Sequence, residues 1–120
     1  MKFGPPGDSN LYGLSLFLPS LLKFVLKLAN IVGLHGSWNR QPPTGYKVVV
    51  VPGSVGYDSS WSPDADITST TGYYDILYNT DENACPGACF RPVGLAWNAA
   101  GDTLYVASDE TGEVFAVKRV

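Results

Sequence analysis

An imidazole, an indole, an amide and a guanidinium stand within residues 35–40 of this chain. They belong to His35, Trp38, Asn39 and Arg40. Two prolines and a glycine follow before residue 46, and the apolar run 48–51 comes next. Polar groups this dense beside a buried strand are costly to fold unless they bind something. Because a guanidinium pairs with carboxylates and an indole offers a flat stacking face, the segment predicts a site for an anionic, aromatic ligand.

Each of these side chains also has an interpretation without a ligand. The imidazole of His35 suits a hydrogen bond to a neighbouring carbonyl group, since histidine is intermediate in burial. Trp38 suits packing in the core or in a loop, and Arg40 suits an exposed surface position. Residue types alone leave both interpretations open.

Composition limits the functional classes that this chain can enter. Its 120 residues are enough for one small domain. Hydrophobic residues make up 45% of the chain and the mean hydropathy is +0.03, which fits neither a disordered chain nor one that is membrane-like throughout. A net charge of −3 argues against a nucleic-acid binder, which needs a basic surface against phosphates. A single histidine excludes a metal site built from several histidines.

The two cysteines, Cys85 and Cys89, flank a Pro-Gly turn. Such a turn brings two cysteines near disulfide geometry, and a disulfide would indicate an oxidising, extracellular compartment. Two free thiols are the alternative. Zinc is a poor fit, because zinc sites normally have four ligands and one distant histidine does not complete the set.

Residues 1–34 differ in character from the rest of the chain. Pro19 suits the first turn of a helix and Gly33 suits its end. The sequence therefore predicts an α-helix over about residues 20–32, apolar nearly all round.

Three interpretations of this apolar segment stay open. The favoured one is a helix that packs on the available core, or aberrant sequence from an imperfect gene model. A signal peptide or anchor comes second, because Lys23 and Lys27 interrupt the apolar region and no clean cleavage site ends it. A membrane span comes last, since both lysines lie near the middle of the best window. Membrane association is thus possible through residues 11–34.

From residue 46 onward the sequence predicts short strands joined by turns. The run 46–51 is rich in valine and continuous, which is typical of a strand buried on both faces. A long surface loop is predicted over residues 52–71. Further strands are predicted over residues 73–78, 93–97, 103–108 and 113–118. The last three are evenly spaced, as in a propeller blade or a small antiparallel sheet.

Two aspartates fall in the turns between the last three strands. Asp102 and Asp109 are of the type that binds calcium, but their spacing and the neighbouring glycines fit hairpin turns better.

Two motifs carry a resemblance to a known family. The first is HGSWNR at residues 35–40 with PTGYKV at residues 43–48. The second is CFRPVGLAW at residues 89–97, followed by LYV and then SDETGEVF up to residue 115. Together they resemble the C-terminal part of the soluble glucose/sorbosone dehydrogenases, above all the fungal pyranose dehydrogenases that depend on pyrroloquinoline quinone. The resemblance covers residues 35–120, and residues 31–34 fit the remnant of a strand expected just before His35.

The resemblance implies a six-bladed β-propeller that oxidises sugars at a quinone in its central channel. A chain of this length supplies about one to two blades, so the expected fold is mainly β: a partial propeller over residues 35–120, preceded by the atypical α-helical segment 1–34. Such a partial propeller leaves open sheet edges, through which self-association is possible.

The resemblance also bears on catalysis and metal binding. The general base of the family is a histidine from an early blade, and calcium is bound by a loop of the middle blades. Neither has a counterpart in this chain. No catalytic residue and no metal ligand is therefore predicted.

The resemblance and the chemistry of the residues agree on candidate cofactor contacts. Pyrroloquinoline quinone carries three carboxylates and a planar ring system, so Arg40 and Arg91 are expected to pair with its carboxylates or quinone oxygens. His35, Trp38 and Asn39 are expected in the wall of the pocket. Alternatively, Arg91 caps the loop between the two cysteines.

Two functions of different classes follow. The first is a secreted fragment of a quinone-dependent sugar dehydrogenase, which contributes one wall of the pyrroloquinoline quinone pocket and is inactive alone. The second is a non-enzymatic β-sheet module that docks on a partner or self-associates.

Overall fold

A computed structural model gives the structure of this chain, and it describes residues 29–118 together with the backbone of residues 11–13. These residues form nine β-strands and one 3₁₀ turn, Glu82–Ala84. The strands are β1 Leu11–Gly13, β2 Asn30–His35, β3 Tyr46–Val51, β4 Gly53–Val55, β5 Trp61–Pro63, β6 Tyr74–Asn79, β7 Pro92–Trp97, β8 Thr103–Ser108 and β9 Glu113–Lys118.

The N-terminal helix prediction is corrected at its end. Residues 20–28 lie outside the described residues, but residues 30–32 belong to strand β2 and not to a helix. Ile31 and Val32 pair with valines of β3, and β-branched side chains pack well on such a pleated surface. The strand expected just before His35 is therefore present. The predicted boundary after residue 34 falls inside it, while the division of the chain into two segments stays a prediction.

Strand β3 lies inside the first sheet, whose strand order is β1-β6-β3-β2, with every pair antiparallel. Tyr46, Val48, Val49 and Val50 are buried, and β3 has a neighbouring strand on each side. The predicted bounds of β3 are confirmed, and β6 begins and ends one residue later than expected.

The second sheet is the meander β7-β8-β9. The predicted bounds of β8 and β9 are confirmed, and β7 begins one residue earlier than expected. Asp102 accepts hydrogen bonds from Asn98 and Thr103 in the first turn, and Gly101 has φ +69° there. Asp102 is therefore a turn residue, as predicted.

The expected surface loop over residues 52–71 contains some regular structure. Strands β4 and β5 pair within it as a two-stranded sheet. Gly53 permits this pairing, because a side chain there would overlap the ring of Trp61.

The hydrophobic core lies between the first and second sheets. Alternate side chains of β3 face it, and Phe90 and Phe115 meet in it edge to face with ring centroids 5.3 Å apart. The buried cluster comprises Val48, Val50, Ile76, Leu77, Phe90, Leu104, Val106 and Phe115. Strand β2 lies against β7, so the end of β2 is brought to the start of the meander.

Lys47 points to the opposite face of β3 and pairs with Asp75. Its Nζ atom lies 3.0 Å from Oδ1 of Asp75 and 4.9 Å from the centroid of the Tyr73 ring. Burial pulls the pKa of Lys47 down, but the hydrogen bond and charge of Asp75, together with Tyr73, outweigh it. The pKa of Lys47 therefore lies above its usual value of 10.5.

This ion pair predicts a loss of stability in strong base. The pKa of Lys47 is higher in the folded than in the unfolded chain. The stabilisation by the ion pair is therefore complete below the unfolded pKa near 10.5 and is lost as the pH rises through the higher folded value. Urea unfolding between pH 9 and 12 measures the effect. The free energy of unfolding should fall less steeply with pH in Lys47→Met than in the wild type. Lys118→Met, which removes an exposed lysine, should follow the wild type. Parallel curves for wild type and Lys47→Met would contradict the assignment.

Candidate functional site

His35, the last residue of β2, stands beside the first residue of β7. Its Nδ1 atom lies 3.2 Å from the carbonyl oxygen of Pro92. A carbonyl oxygen only accepts hydrogen bonds, so the network assigns the ring proton to Nδ1. The Nε2 atom, which faces the Arg91 guanidinium, is then the acceptor of the ring. The expected hydrogen bond from His35 to a neighbouring carbonyl group is thus present.

Arg91 is the centre of the polar group that surrounds His35. Its Nη2 atom lies 2.9 Å from Nε2 of His35 and 3.2 Å from Oδ2 of Asp109. Its Nη1 atom lies 3.5 Å from Oε2 of Glu110 and 3.5 Å from the carbonyl oxygen of Pro86. We call His35, Arg91, Asp109 and Glu110 the Arg91 cluster.

Strand pairing places Arg91 against the acidic turn. Pro92 lies opposite Ser108 in the β7-β8 ladder, so the preceding Arg91 meets the following Asp109. The backbone N–H of Arg91 donates to Oγ of Ser108 at 3.0 Å, and the backbone N–H of Asp109 donates to the Arg91 carbonyl at 3.3 Å. The backbone on both sides of the ion pair is therefore held in register.

The amide of Asn79 fixes the segment that leads into Arg91. Its Nδ2 atom donates to the carbonyl oxygens of Tyr46, at 3.1 Å, and Phe90, at 2.9 Å. Its Oδ1 atom accepts from the backbone N–H of Phe90 at 2.9 Å. Because Asn79 is only 6% exposed, these bonds form away from water and tie β3, β6 and the approach to Arg91 together.

The predicted disulfide between Cys85 and Cys89 is present, with a Cα–Cα distance of 5.2 Å. Both cysteines pack with the buried ring of Tyr46. The closed loop carries the Pro86 carbonyl oxygen that lies near Nη1 of Arg91. The expected alternative, in which Arg91 caps the cysteine loop, is therefore seen together with its ion pairs.

The loop between His35 and Tyr46 is fastened at its base. Oε1 of Glu82 accepts the backbone N–H groups of Gly45, at 3.0 Å, and Tyr46, at 3.1 Å. Ser37 and Thr44 are hydrogen-bonded across the loop, and the Tyr46 hydroxyl donates to the Ser37 carbonyl oxygen. A rigid base therefore carries an outer part that faces solvent.

The outer part of this loop holds the other three candidates. Trp38, Asn39 and Arg40 are exposed, and 86% of Trp38 is accessible. Within residues 29–118 the structure gives them no hydrogen bond or ion pair to the Arg91 cluster. The packed interpretation of Trp38 has no counterpart there, and Arg40 occupies the expected surface position. The structure thus joins His35 to Arg91 and leaves the other three on a neighbouring loop.

Asp109 and Glu110 are site residues that the sequence reading did not identify. Asp109 was expected to be a turn residue, and it also pairs with Arg91. Counting along the β7-β8 hairpin from its turn would have placed residue 91 opposite residue 110. The irregularity between Pro92 and Gly94 shifts the register by one residue, so that Arg91 meets Asp109, and no local pattern signals this shift.

The described residues give no grouping of three or more His, Cys, Asp or Glu side chains suited to a metal ion. Across the same residues, the structure contains no helix long and apolar enough to cross a membrane. The Arg91 cluster therefore offers hydrogen bonds and ion pairs, with one guanidinium against two carboxylates.

Comparison with known proteins identifies the family. A family model described as TrAA12-like matches residues 19–120. This chain belongs to the TrAA12-like family. The match reaches further toward the N-terminus than residue 35, where the two motifs begin.

The relatives of this TrAA12-like chain are quinone-dependent dehydrogenases. It is 50% identical over 125 aligned residues to a pyrroloquinoline quinone-dependent pyranose dehydrogenase of Coprinopsis cinerea, an alignment that covers all of this chain and 15% of that protein. It is 38% identical over 66 residues to a pyrroloquinoline quinone-dependent sugar dehydrogenase of Hypocrea jecorina, which covers 55% of this chain and 15% of that protein. The chain therefore spans about one seventh of the length of these relatives, and the resemblance drawn from the motifs is confirmed.

Solved structures agree with this assignment. The holo form of the pyranose dehydrogenase PQQ domain from Coprinopsis cinerea matches with a TM-score of 0.70 and 56% identity, over 77% of this chain and 24% of that one. The calcium structure of a Trichoderma reesei family AA12 protein matches with a TM-score of 0.67 and 35% identity, over 78% of this chain and 22% of that one. The matched PQQ domains are β-propellers. The predicted fold, mainly β and part of a propeller, is confirmed.

Proposed function

We propose that this chain is part of a sugar dehydrogenase that depends on pyrroloquinoline quinone, and that the Arg91 cluster and the loop 36–45 form one wall of its quinone pocket. The observation that carries the proposal is the guanidinium of Arg91, held 2.9 Å from His35 where β2 meets β7. An arginine fixed from several sides and still 23% exposed is prepared to bind an anion.

The residues present fit one edge of the quinone. Arg91 and Arg40 supply guanidinium groups for carboxylates, Asn39 supplies an amide, and Trp38 supplies an exposed aromatic face. Asp109 and Glu110 offset the charge of Arg91, so this wall alone does not balance three ligand carboxylates. The proposal therefore requires further cations from outside this wall. When bound, the quinone accepts a hydride equivalent from the sugar.

His35 has a supporting part in this proposal. Its Nδ1 proton is committed to the Pro92 carbonyl oxygen, and its Nε2 lone pair accepts from Arg91. Neither nitrogen is free to take a proton from a sugar hydroxyl group, so His35 orients Arg91 and does not act as the general base. This supports the proposal that the chain by itself does not turn over sugar.

Quinone binding to the purified chain tests the proposal. Arg91→Ala should weaken binding by about tenfold to a hundredfold, because a charged hydrogen-bonding partner is lost and two carboxylates stay unbalanced. Arg40→Ala should have a smaller effect, about threefold, since Arg40 is exposed. Lys118→Ala, an exposed cation outside both segments, is the control. Fluorescence quenching gives the affinities, and circular dichroism checks that each variant is folded.

The outcomes separate the two candidate functions. Unchanged binding in both arginine variants would reject the pocket assignment. Clear turnover of aldoses in a dye-reduction assay with added quinone and calcium would reject the inactivity of the isolated chain. A chain that binds no quinone but has the molar mass of a dimer would favour the interaction module, for which the open sheet edges provide a surface.

The disulfide supports a further part of the proposal, namely that the chain is secreted. Structural disulfides persist in oxidising compartments and are rare in the reducing cytosol.

A further inference from the structure

Every N–H group on the two terminal nitrogens of Arg91 already faces an acceptor. Nη2 faces His35 and Asp109, and Nη1 faces Glu110 and the Pro86 carbonyl oxygen. The fifth donor, on Nε, is buried and has no partner among the described residues. A ligand carboxylate that pairs with the Nη atoms must therefore replace one of the acceptors present.

The four acceptors are not equally replaceable. Oδ2 of Asp109 accepts a hydrogen bond from Nη2 of Arg91 at 3.2 Å, and the backbone N–H of Asp109 donates to the Arg91 carbonyl oxygen at 3.3 Å, so this residue is held at two points. Nε2 of His35 is directed by the bond that the other ring nitrogen makes to Pro92. The Pro86 carbonyl oxygen belongs to the backbone of the disulfide loop. These three are fixed by covalent structure or by a second partner.

Glu110 differs from the other three acceptors. Its carboxylate lies 3.5 Å from Nη1, and within the described part of the chain this ion pair is the one side-chain interaction it makes. The side chain is one third exposed, so water solvates it readily once it leaves Arg91. A partly exposed ion pair at this distance contributes little, which makes its exchange for another carboxylate easy.

We propose that Glu110 is an internal competitor for the anion site: it occupies Nη1 of Arg91 while no ligand is bound and yields that position to a ligand carboxylate. Naming pyrroloquinoline quinone as the ligand rests on the proposed function, whereas the competition itself depends only on the Arg91 cluster. In this arrangement Glu110 determines specificity, because a neutral sugar cannot displace it and a polycarboxylate can. Asp109 stays in place and keeps Arg91 oriented.

Replacing Glu110 by glutamine tests the competition. Glu110→Gln removes the charge and keeps the size, so it should bind pyrroloquinoline quinone about threefold to fivefold more tightly than the wild type. Benzene-1,3,5-tricarboxylate, a planar tricarboxylate without a quinone, should show the same gain. Glu113→Gln, which removes an equal charge from strand β9, should leave both affinities within about 1.5-fold of the wild type. The gain should shrink at high salt, since it is electrostatic.

Each outcome decides a different claim. Equal or weaker binding of both ligands by Glu110→Gln would overturn the competition, even where the wild type binds quinone as proposed. A gain for the tricarboxylate without any binding of quinone would keep the competition and reject the proposed function. An equal gain in Glu113→Gln would show a general charge effect and overturn the specific role of Glu110. Absence of binding in every protein would overturn both.

Discussion

Replacing Asn79 by alanine is expected to lower the free energy of unfolding by about 3 kcal/mol or more, because three buried backbone groups lose their partner. These groups are the carbonyl oxygens of Tyr46 and Phe90 and the N–H of Phe90. Since Asn79 is almost fully buried, water cannot replace the lost bonds without opening the structure. Urea unfolding followed by tryptophan fluorescence measures the change.

Asn83→Ala is the matched control for this prediction. Asn83 is exposed, and within the described part of the chain its side chain bonds locally, to the carboxylate of Asp81. Its replacement should change the free energy of unfolding by less than about 0.5 kcal/mol. Similar losses in the two variants would show that the buried amide has no special role. A folded Asn79→Ala chain should also bind the quinone more weakly, because Phe90 immediately precedes Arg91.

Gly36→Ala is expected to be the second strongly destabilising substitution, at about 3 kcal/mol, from backbone strain and overpacking together. Gly36 has φ +92°, where side chains are disfavoured, and a Cβ atom there would overlap the ring of Tyr46. The ring cannot easily move, because it is buried and packs on the disulfide. Thermal unfolding by circular dichroism should show the loss.

Gly45→Ala separates the two causes of this loss. Gly45 has φ +90°, almost the same as Gly36, but the nearest atom to an added Cβ lies 3.8 Å away. Only the backbone strain applies there, so the expected cost is about 1–2 kcal/mol. Equal losses for the two variants would mean that the overlap with Tyr46 is relieved by a shift of the ring. A larger loss for Gly36→Ala would support a rigid base for the loop that follows His35.

Local sequence was a good guide to the strands after residue 46. Three of the five predicted strands have the predicted bounds, β7 begins one residue earlier, and β6 is displaced by one residue at both ends. Valine-rich runs and glycine-bearing turns act over a few residues, so their effect can be read locally. The prediction of a helix up to residue 32 was wrong at residues 30–32, because an apolar run satisfies a helix and a buried strand equally well. Pairing with β3 decides between them.

The candidate site was predictable in part. The residue types at His35 and Arg91, and the resemblance that their motifs carry, pointed to an anionic cofactor before any contact was known. The contact between the two residues spans 56 positions of the chain and depends on how β2 meets β7. The roles of Trp38, Asn39 and Arg40 in binding stay predictions, since their loop faces solvent.

The sequence by itself determined the chemistry of this protein: a guanidinium, an imidazole and an aromatic face in two motifs, two cysteines on a tight turn, and strands of the right length for a blade. Only the tertiary structure decided which of these groups act together. It set Asp109 and Glu110 against Arg91, and this changes a free cation into one whose Nη atoms already face acceptors. The reason is physical: residue types carry charge and hydrogen-bonding capacity, but distances between segments follow from sheet packing, which no local pattern specifies.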